Sequence, residues 1–187
     1  MKILVVGGGA REHAFAWKLS RERGTTAIIC APGNPGIDAV ARCVPADPAK
    51  PEDILALATR EQVDLTVVGP EMPLGKGIVD VFAARGHRII GPTAAAAALE
   101  CSKAFAKEFM ARHRVPTARF AVCHSIEDAA HRIARGEFSY PLVIKADGLA
   151  AGKGVVIAED RGTAESVVRE IMVNRRFGAA GERVLAT

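Results

Sequence analysis

The chain has 187 residues, a formal charge of +4, 49% hydrophobic residues and only 5% aromatics. That length suits one large domain or two small ones, with a globular core filled by Ala, Val and Ile instead of rings. The basic residues are scattered, with no Lys/Arg run and no interleaved aromatics, so no nucleic-acid partner is expected, and the modest positive balance suits an anionic small molecule.

In chain order, Ile3 to Val6 is an apolar run ended by three glycines and followed by a helical stretch, the pattern of a strand buried on both faces. A helix is predicted over 11–23, with Ala14, Trp17 and Leu19 toward the core. A strand over 26–30 ends in the turn-rich Ala-Pro-Gly-Asn-Pro-Gly, and a helix from Pro51 to Arg60 leads to a strand over 64–68. A helix over 75–85 and a strand over 88–90 complete this series. Strands alternating with helices imply a parallel sheet, and ligands of such sheets sit beyond the carboxyl ends of the strands. The turn-rich segments 7–11, 31–37 and 69–76 all follow strands, so they are expected on one rim.

At Gly91-Pro92-Thr93 the pattern changes. An Ala-rich segment (94–100) and a helix over 102–113 precede a strand near 119–123, a helix near 126–135, and strands near 142–146 and 154–158. A helix near 163–173 and an apolar stretch at 183–186 follow, giving a small α+β lobe with an antiparallel sheet. Cys30, Cys43, Cys101 and Cys123 form no C-x-x-C pair, and the five histidines show no ligand spacing, so neither a disulfide framework nor a transition-metal site is indicated. The first apolar run is too short for a signal peptide or a membrane span; the expected location is the cytoplasm, away from membranes.

Gly7-Gly8-Gly9-Ala10-Arg11-Glu12 sits between strand and helix, where backbone N–H groups can hold a phosphate. The dinucleotide fingerprint fails at its third glycine, where Glu12 stands, and no acidic residue follows about 20 positions on, which disfavours NAD and leaves a single phosphate on a smaller ligand. A turn needed only for packing is the alternative. Asn34 serves either as turn residue or as ligand, and Glu71, at a strand end, either pairs with hydroxyls or an amine or is a solvated acid.

The second glycine segment is PLVIKADGLAAGKGVVI at 141–157. Lys145 lies on an apolar strand, Gly148, Gly152 and Gly154 make a turn carrying Lys153, and a second apolar strand returns. It is not Walker A, because Gly154-Val155 opens a strand where a P-loop opens a helix. Such a flap suits covering a triphosphate, with Lys145 as a point charge; an ordinary hairpin with a snorkelling lysine is the alternative. Lys103 and Lys107, four apart, share a helix face; such lysines are mostly solvated, the alternative being that one of them reaches a nucleotide from the opposite wall.

VGGGAREHA (6–14), APGNPG (31–36), VVGPEMPLGKGIVD (67–80), SKAFAKEFM (102–110), VPTA (115–118) and KADGLAAGKGVVIA (145–158) together resemble the glycinamide ribonucleotide synthetase family of ATP-grasp ligases. The resemblance implies a Rossmann-like pre-ATP-grasp domain over 1–92 facing phosphoribosylamine, linker helices over 93–115, and an ATP-grasp lid over 116–187 that is incomplete. It implies ligation of glycine to 5-phosphoribosylamine with ATP, through a glycyl phosphate, in purine synthesis, by a full-length monomer. ATP would meet Lys103, Lys145, Asp147, Gly148, Leu149, Ala150, Ala151, Gly152, Lys153 and Gly154, the 148–154 loop closing as a lid. Phosphoribosylamine would meet Gly8, Gly9, Arg11, Asn34, Gly69, Pro70 and Glu71. Ligands for Mg²⁺ or Mn²⁺ are expected beyond Thr187, as is the glycine site, so no ligase activity is expected of these residues alone. Cys101 stands where the family usually has Gly before Ser-Lys. Another carboxylate–amine ATP-grasp ligase and a non-catalytic nucleotide- or phosphosugar-binding module remain open alternatives.

Overall fold

The computed structural model describes residues 1–150 and 152–187, in two compact units, Met1–Ala97 and Ala98–Thr187.

In the first unit, β1 (Lys2–Gly7), β2 (Ala27–Pro32), β3 (Arg42–Cys43), β4 (Leu65–Val68) and β5 (Ile89–Ile90) form a wholly parallel sheet in the order β3-β2-β1-β4-β5. Successive side chains of a strand point to opposite faces, and β1 shows this directly. Leu4 and Val6 join Ile54, Leu57, Ala58, Ile78 and Phe82 from helices α2 (Pro51–Arg60) and α4 (Ile78–Ala84) on one side. Ile3 and Val5 join Ala16 of helix α1 (Ala10–Leu19) and Ile37 on the other. With helices covering both faces, the inner strands are apolar on either side over Ile3–Val6 and Ile28–Ala31, with Thr66 a buried polar exception in β4, which is why the sequence reads as continuous apolar runs rather than alternation. α2 starts with proline at its first position, acids Glu52 and Asp53 in its first turn and Arg60 in its last, each suited to its end of the helix dipole.

Three local expectations change. α1 stops at Leu19, and its buried residues are Glu12 and Ala16; Ala14 and Trp17 are exposed. Glu12 turns back to the N–H of Gly9 at the helix start, and that bond fixes the rotation of α1, putting positions 12 and 16 against the sheet. Trp17 instead packs under the Arg21 guanidinium, 4.2 Å from its ring centroid. The helix expected over 75–85 is α4, which starts only at Ile78 because Gly77 before it has a left-handed φ of +79°, and a short helix, α3 (Glu71–Gly75), stands inside the segment 69–76 expected as a turn. The two-residue edge strand β3 has too short an apolar pattern to be read from sequence.

Helix α5 (Ala94–Cys101) carries the chain into the second unit. There β6 (Ala121–Cys123), β7 (Leu142–Ala146), β8 (Val155–Ala158) and β9 (Val184–Ala186) form an antiparallel sheet in the order β6-β9-β7-β8. Leu142, Ile144 and Ala146 pack with Val184 and Ala186 against α7 (Ile126–Ala134) and α8 (Arg161–Met172). Side-chain oxygens begin the helices: Ser102 caps α6 (Lys103–Arg112), Ser125 caps α7 and Asp160 caps α8, accepting from Phe105, Asp128 and Thr163 N–H. Of the stretch 183–186, legible only as apolar, residues 184–186 form β9 in the interior of the sheet, and Arg183 precedes it. Among the described residues no helix is long and apolar enough to cross a membrane.

Candidate functional site

In the first unit, the residues singled out from sequence gather at the carboxyl ends of β1, β2 and β4, the position where order reverses around β1 and where such sheets take ligands. The loops are tied to one another. Asn34 donates from Nδ2 to the Gly8 carbonyl at 2.9 Å, and its Oδ1 accepts the Ile37 N–H at 2.9 Å. Gly33 N–H donates to the Gly7 carbonyl at 3.1 Å. Arg11 donates to the Gly69 carbonyl at 2.7 Å and from both terminal nitrogens to Glu71 Oε1 at 3.2 Å. Gly9 gives its N–H to Glu12 Oε2 at 2.6 Å.

This division of labour refines the sequence reading. Asn34 has both side-chain groups engaged and braces the rim; Gly9 N–H and Gly8 C=O are likewise engaged. Pro70 has no N–H to offer and leads into α3 at Glu71. The open chemistry belongs to Arg11 and Glu71, whose side chains are 58% and 41% exposed. Glu71's own backbone N–H, then Arg11, hold its carboxyl below the usual range against weak desolvation. It stays an ionised acceptor at neutral pH. A carboxyl with a depressed folded pKa stabilises above its unfolded value, 4.5, and loses that contribution as pH falls through the folded value. The difference in melting temperature between wild type and Glu71→Gln should therefore shrink as pH is lowered from 6 to 3; a constant difference over that range would disprove the ion pair's role.

In the second unit the centre is Asp147, 5% exposed, on the residue after β7. Its Oδ1 accepts from Ser102 Oγ at 2.9 Å and the Ala104 N–H at 2.7 Å, and its Oδ2 accepts from Arg183. Both oxygens are committed beneath the loop, joining the start of α6 to the approach to β9. Lys103 returns along the same route, its ammonium donating to the Gly148 carbonyl at 2.8 Å and the Asp147 carbonyl at 3.4 Å. Lys145 alternates with buried Leu142, Ile144 and Ala146, so it faces away from α7 and α8, beside its partner Val155 and on the same face as Val143 and Ile157. Val155 and Ile157 are 47% and 58% exposed there, an apolar surface next to a charge. Desolvation first, then the charge of Lys145, pull Lys107 below its usual pKa. Lys103 is also lowered by desolvation and by Lys145, against raising effects of Asp147 and Glu100. Lys107 is held by Thr117 Oγ1 at 2.6 Å and the Ala118 carbonyl at 3.3 Å. Lys103 and Lys107 thus each have protein acceptors, and the charge of Lys145 acts on both.

The turn after Asp147 is built for close backbone approach. A side-chain carbon on Gly148 would lie 2.8 Å from Ala180 Cβ, and one on Gly154 would lie 2.6 Å from Ala150 Cβ. Gly152 has a left-handed φ of +77°. Lys153 is exposed, its N–H donating to the Ala150 carbonyl at 2.9 Å; Leu149 is exposed, and Ala151 lies outside the described residues. Sequence reasoning missed Glu12, Ser102 and Arg183; the first showed only as a broken glycine pattern, and the others carry no local signal. Burial pushes the Cys30 thiol up to about 12 and the Cys123 thiol to about 11, so neither is a nucleophile at neutral pH. Among the described residues, no group of three or more His, Cys, Asp or Glu could hold a metal ion.

A parallel-sheet unit followed by an antiparallel sheet with a glycine turn between two strands, Lys145 on one face and helices α7 and α8 on the other, is the arrangement of the ATP-grasp class. The profile of the Phosphoribosylglycinamide synthetase N domain matches residues 1–100, and that of the Phosphoribosylglycinamide synthetase ATP-grasp (A) domain matches residues 101–186. The chain belongs to the phosphoribosylglycinamide synthetase family. It is 54% identical over 187 residues to the phosphoribosylamine–glycine ligase of Xylella fastidiosa strain Temecula1, with 99% of this chain and 43% of that protein covered. The crystal structure of phosphoribosylamine–glycine ligase from Thermotoga maritima matches with a TM-score of 0.78 at 27% identity, covering 100% of this chain and 43% of that one. The biotin carboxylase domain of Hydrogenobacter thermophilus 2-oxoglutarate carboxylase, solved with MgADP and bicarbonate, shares the fold with a TM-score of 0.76 at 23% identity, over 99% of this chain and 43% of that one. The chain thus spans less than half the length of these relatives.

Proposed function

We propose that the polypeptide containing this chain joins glycine to 5-phosphoribosylamine with ATP, giving glycinamide ribonucleotide, ADP and phosphate, in the cytoplasm and as a monomer. Residues 1–92 serve as the phosphoribosylamine side, 93–115 as connecting helices, and 116–187 as the cover of the ATP phosphates. The observation that carries the reading is Lys103, whose ammonium donates to the Gly148 carbonyl at 2.8 Å, together with Lys145 on the strand that leads into the same glycine turn. In the reaction, a glycine carboxylate oxygen attacks the γ-phosphorus and ADP leaves; the amine nitrogen of phosphoribosylamine then attacks the acyl carbon and phosphate leaves. Negative charge gathers on the transferring phosphoryl oxygens, and fixed ammonium groups stabilise it there. Val155 and Ile157 offer an apolar face to the base, and Glu71 offers an ionised acceptor to the hydroxyls or amine of phosphoribosylamine. Mg²⁺ or Mn²⁺ would accompany the ATP phosphates, and the described residues supply no cluster of carboxylates for it.

Titrating ATP–Mg²⁺ into wild type and Lys145→Ala tests the nucleotide half. Loss of one charge-assisted contact should weaken binding about tenfold or more. Equal affinities would take Lys145 out of the site. For the whole reaction, a polypeptide of the relatives' full length carrying this sequence should release ADP only when glycine and phosphoribosylamine are both supplied; release with another carboxylate in glycine's place would point to a different ATP-grasp ligase.

A further inference from the structure

Glu12 has no part in the chemistry above. It is 4% exposed, and its carboxylate lies in a recess that exists because three of its neighbours are glycines. A side-chain carbon on Gly7 would sit 2.7 Å from Glu12 Cγ and 2.8 Å from Cδ; one on Gly9 would sit 3.0 Å from Oε2; one on Gly69 would overlap Oε1. Three glycines from two rim loops surround one carboxylate. Oε2 takes the Gly9 N–H at 2.6 Å, while Oε1 rests against Gly69. From the other direction Arg11 donates to the Gly69 carbonyl at 2.7 Å. Gly69 is therefore gripped by two consecutive residues of α1, and Glu71 follows it by two.

We propose that Glu12 is a positioning residue: its buried carboxylate fixes the Gly7–Gly9 turn against Gly69 and so sets where Glu71 stands for the phosphoribosyl substrate. The proposal rests on reading the first unit as the phosphoribosylamine side. Glu12 touches no substrate itself. Filling the recess is half of its role; accepting the Gly9 N–H is the other half, because a turn whose N–H loses its partner rotates to find another. A purely structural residue would need only the first.

The two halves separate experimentally in the whole 187-residue chain. Glu12→Met matches the bulk and has no acceptor for the N–H, whereas Glu12→Gln keeps one. The readouts are affinity for ribose 5-phosphate by calorimetry, affinity for ATP–Mg²⁺ at the second unit, and melting temperature. Glu12→Met should bind ribose 5-phosphate about tenfold more weakly, or worse, with ATP affinity unchanged, and Glu12→Gln should recover most of the loss. Should methionine prevent folding, Glu12→Ala/Gly69→Ala gives the same reading, since the new methyl takes up the space vacated. Wild-type affinity for ribose 5-phosphate in the folded variant lacking the acceptor would overturn the role of Glu12. An unaltered chain that takes ATP but not ribose 5-phosphate would overturn the substrate-side reading and Glu12's role with it.

Discussion

Asp147→Ala should lower the stability of the second unit by about 3 kcal/mol, since it strands a half-buried arginine and leaves two donors at the head of α6 without their acceptor. For a unit of this size that is a fall in melting temperature on the order of 15 °C. Asp147→Asn keeps an oxygen for Ser102 and the Ala104 N–H but turns an amide group toward Arg183, so it should cost about 1 kcal/mol. Both changes should weaken ATP binding beyond what stability explains, because the Asp147 and Gly148 carbonyls that hold Lys103 move with the side chain beneath them. Thermal melts alongside ATP titration check this. A destabilised Asp147→Ala protein with unaltered ATP affinity would return Asp147 to a purely structural role.

The second large effect belongs to Gly8→Ala. The new methyl would overlap the Gly33 carbonyl oxygen and lie 3.1 Å from its carbon, a clash with backbone that no rotamer change relieves. Gly33 has little room to retreat, since a side-chain carbon there would itself lie 3.1 Å from Cys43 Cβ. The loops must separate, breaking the Asn34 bond to Gly8, at a cost of about 1–3 kcal/mol. Gly24→Ala is the control: its surroundings are empty, and only its left-handed φ of +88° is strained, about 1 kcal/mol. Gly8→Ala should thus melt lower than Gly24→Ala and lose phosphoribosyl binding, which Gly24→Ala should keep. Equal melting temperatures would mean that the two loops do not approach as described.

The sequence made the rim legible because parallel strands deliver their following turns to one end, so order alone put residues 7–11, 31–37 and 69–76 together. It put Lys145 on an apolar strand, whereas the face that Lys145 takes, opposite buried Leu142, Ile144 and Ala146, became clear only from the burial of its neighbours. Asp147 was harder. In a glycine-rich segment an acid reads as a ligand, and its burial depends on Ser102 and Arg183, 45 and 36 positions away. The face of α1 was misread for a related reason. Its hydrophobic pattern favours Trp17, yet its rotation is fixed by Glu12 reaching back to the loop, and small Ala16 fits the sheet where an indole would not. Non-local polar contacts set both positions, and a periodic pattern carries no trace of them.

The place of β9 bears on how the protein is made. Among the described residues β6 pairs with β9 alone, and β7 pairs with β9 and β8, so residues 184–186 join the two halves of the sheet. On a translating ribosome the first unit has all its strands once residue 90 has cleared the exit tunnel. The β7–β8 hairpin can form later on its own, but β6 has no partner until residue 186 emerges, nearly a hundred residues after the first sheet is complete. Synthesis therefore delivers a finished first unit well before the strands of the second sheet can close.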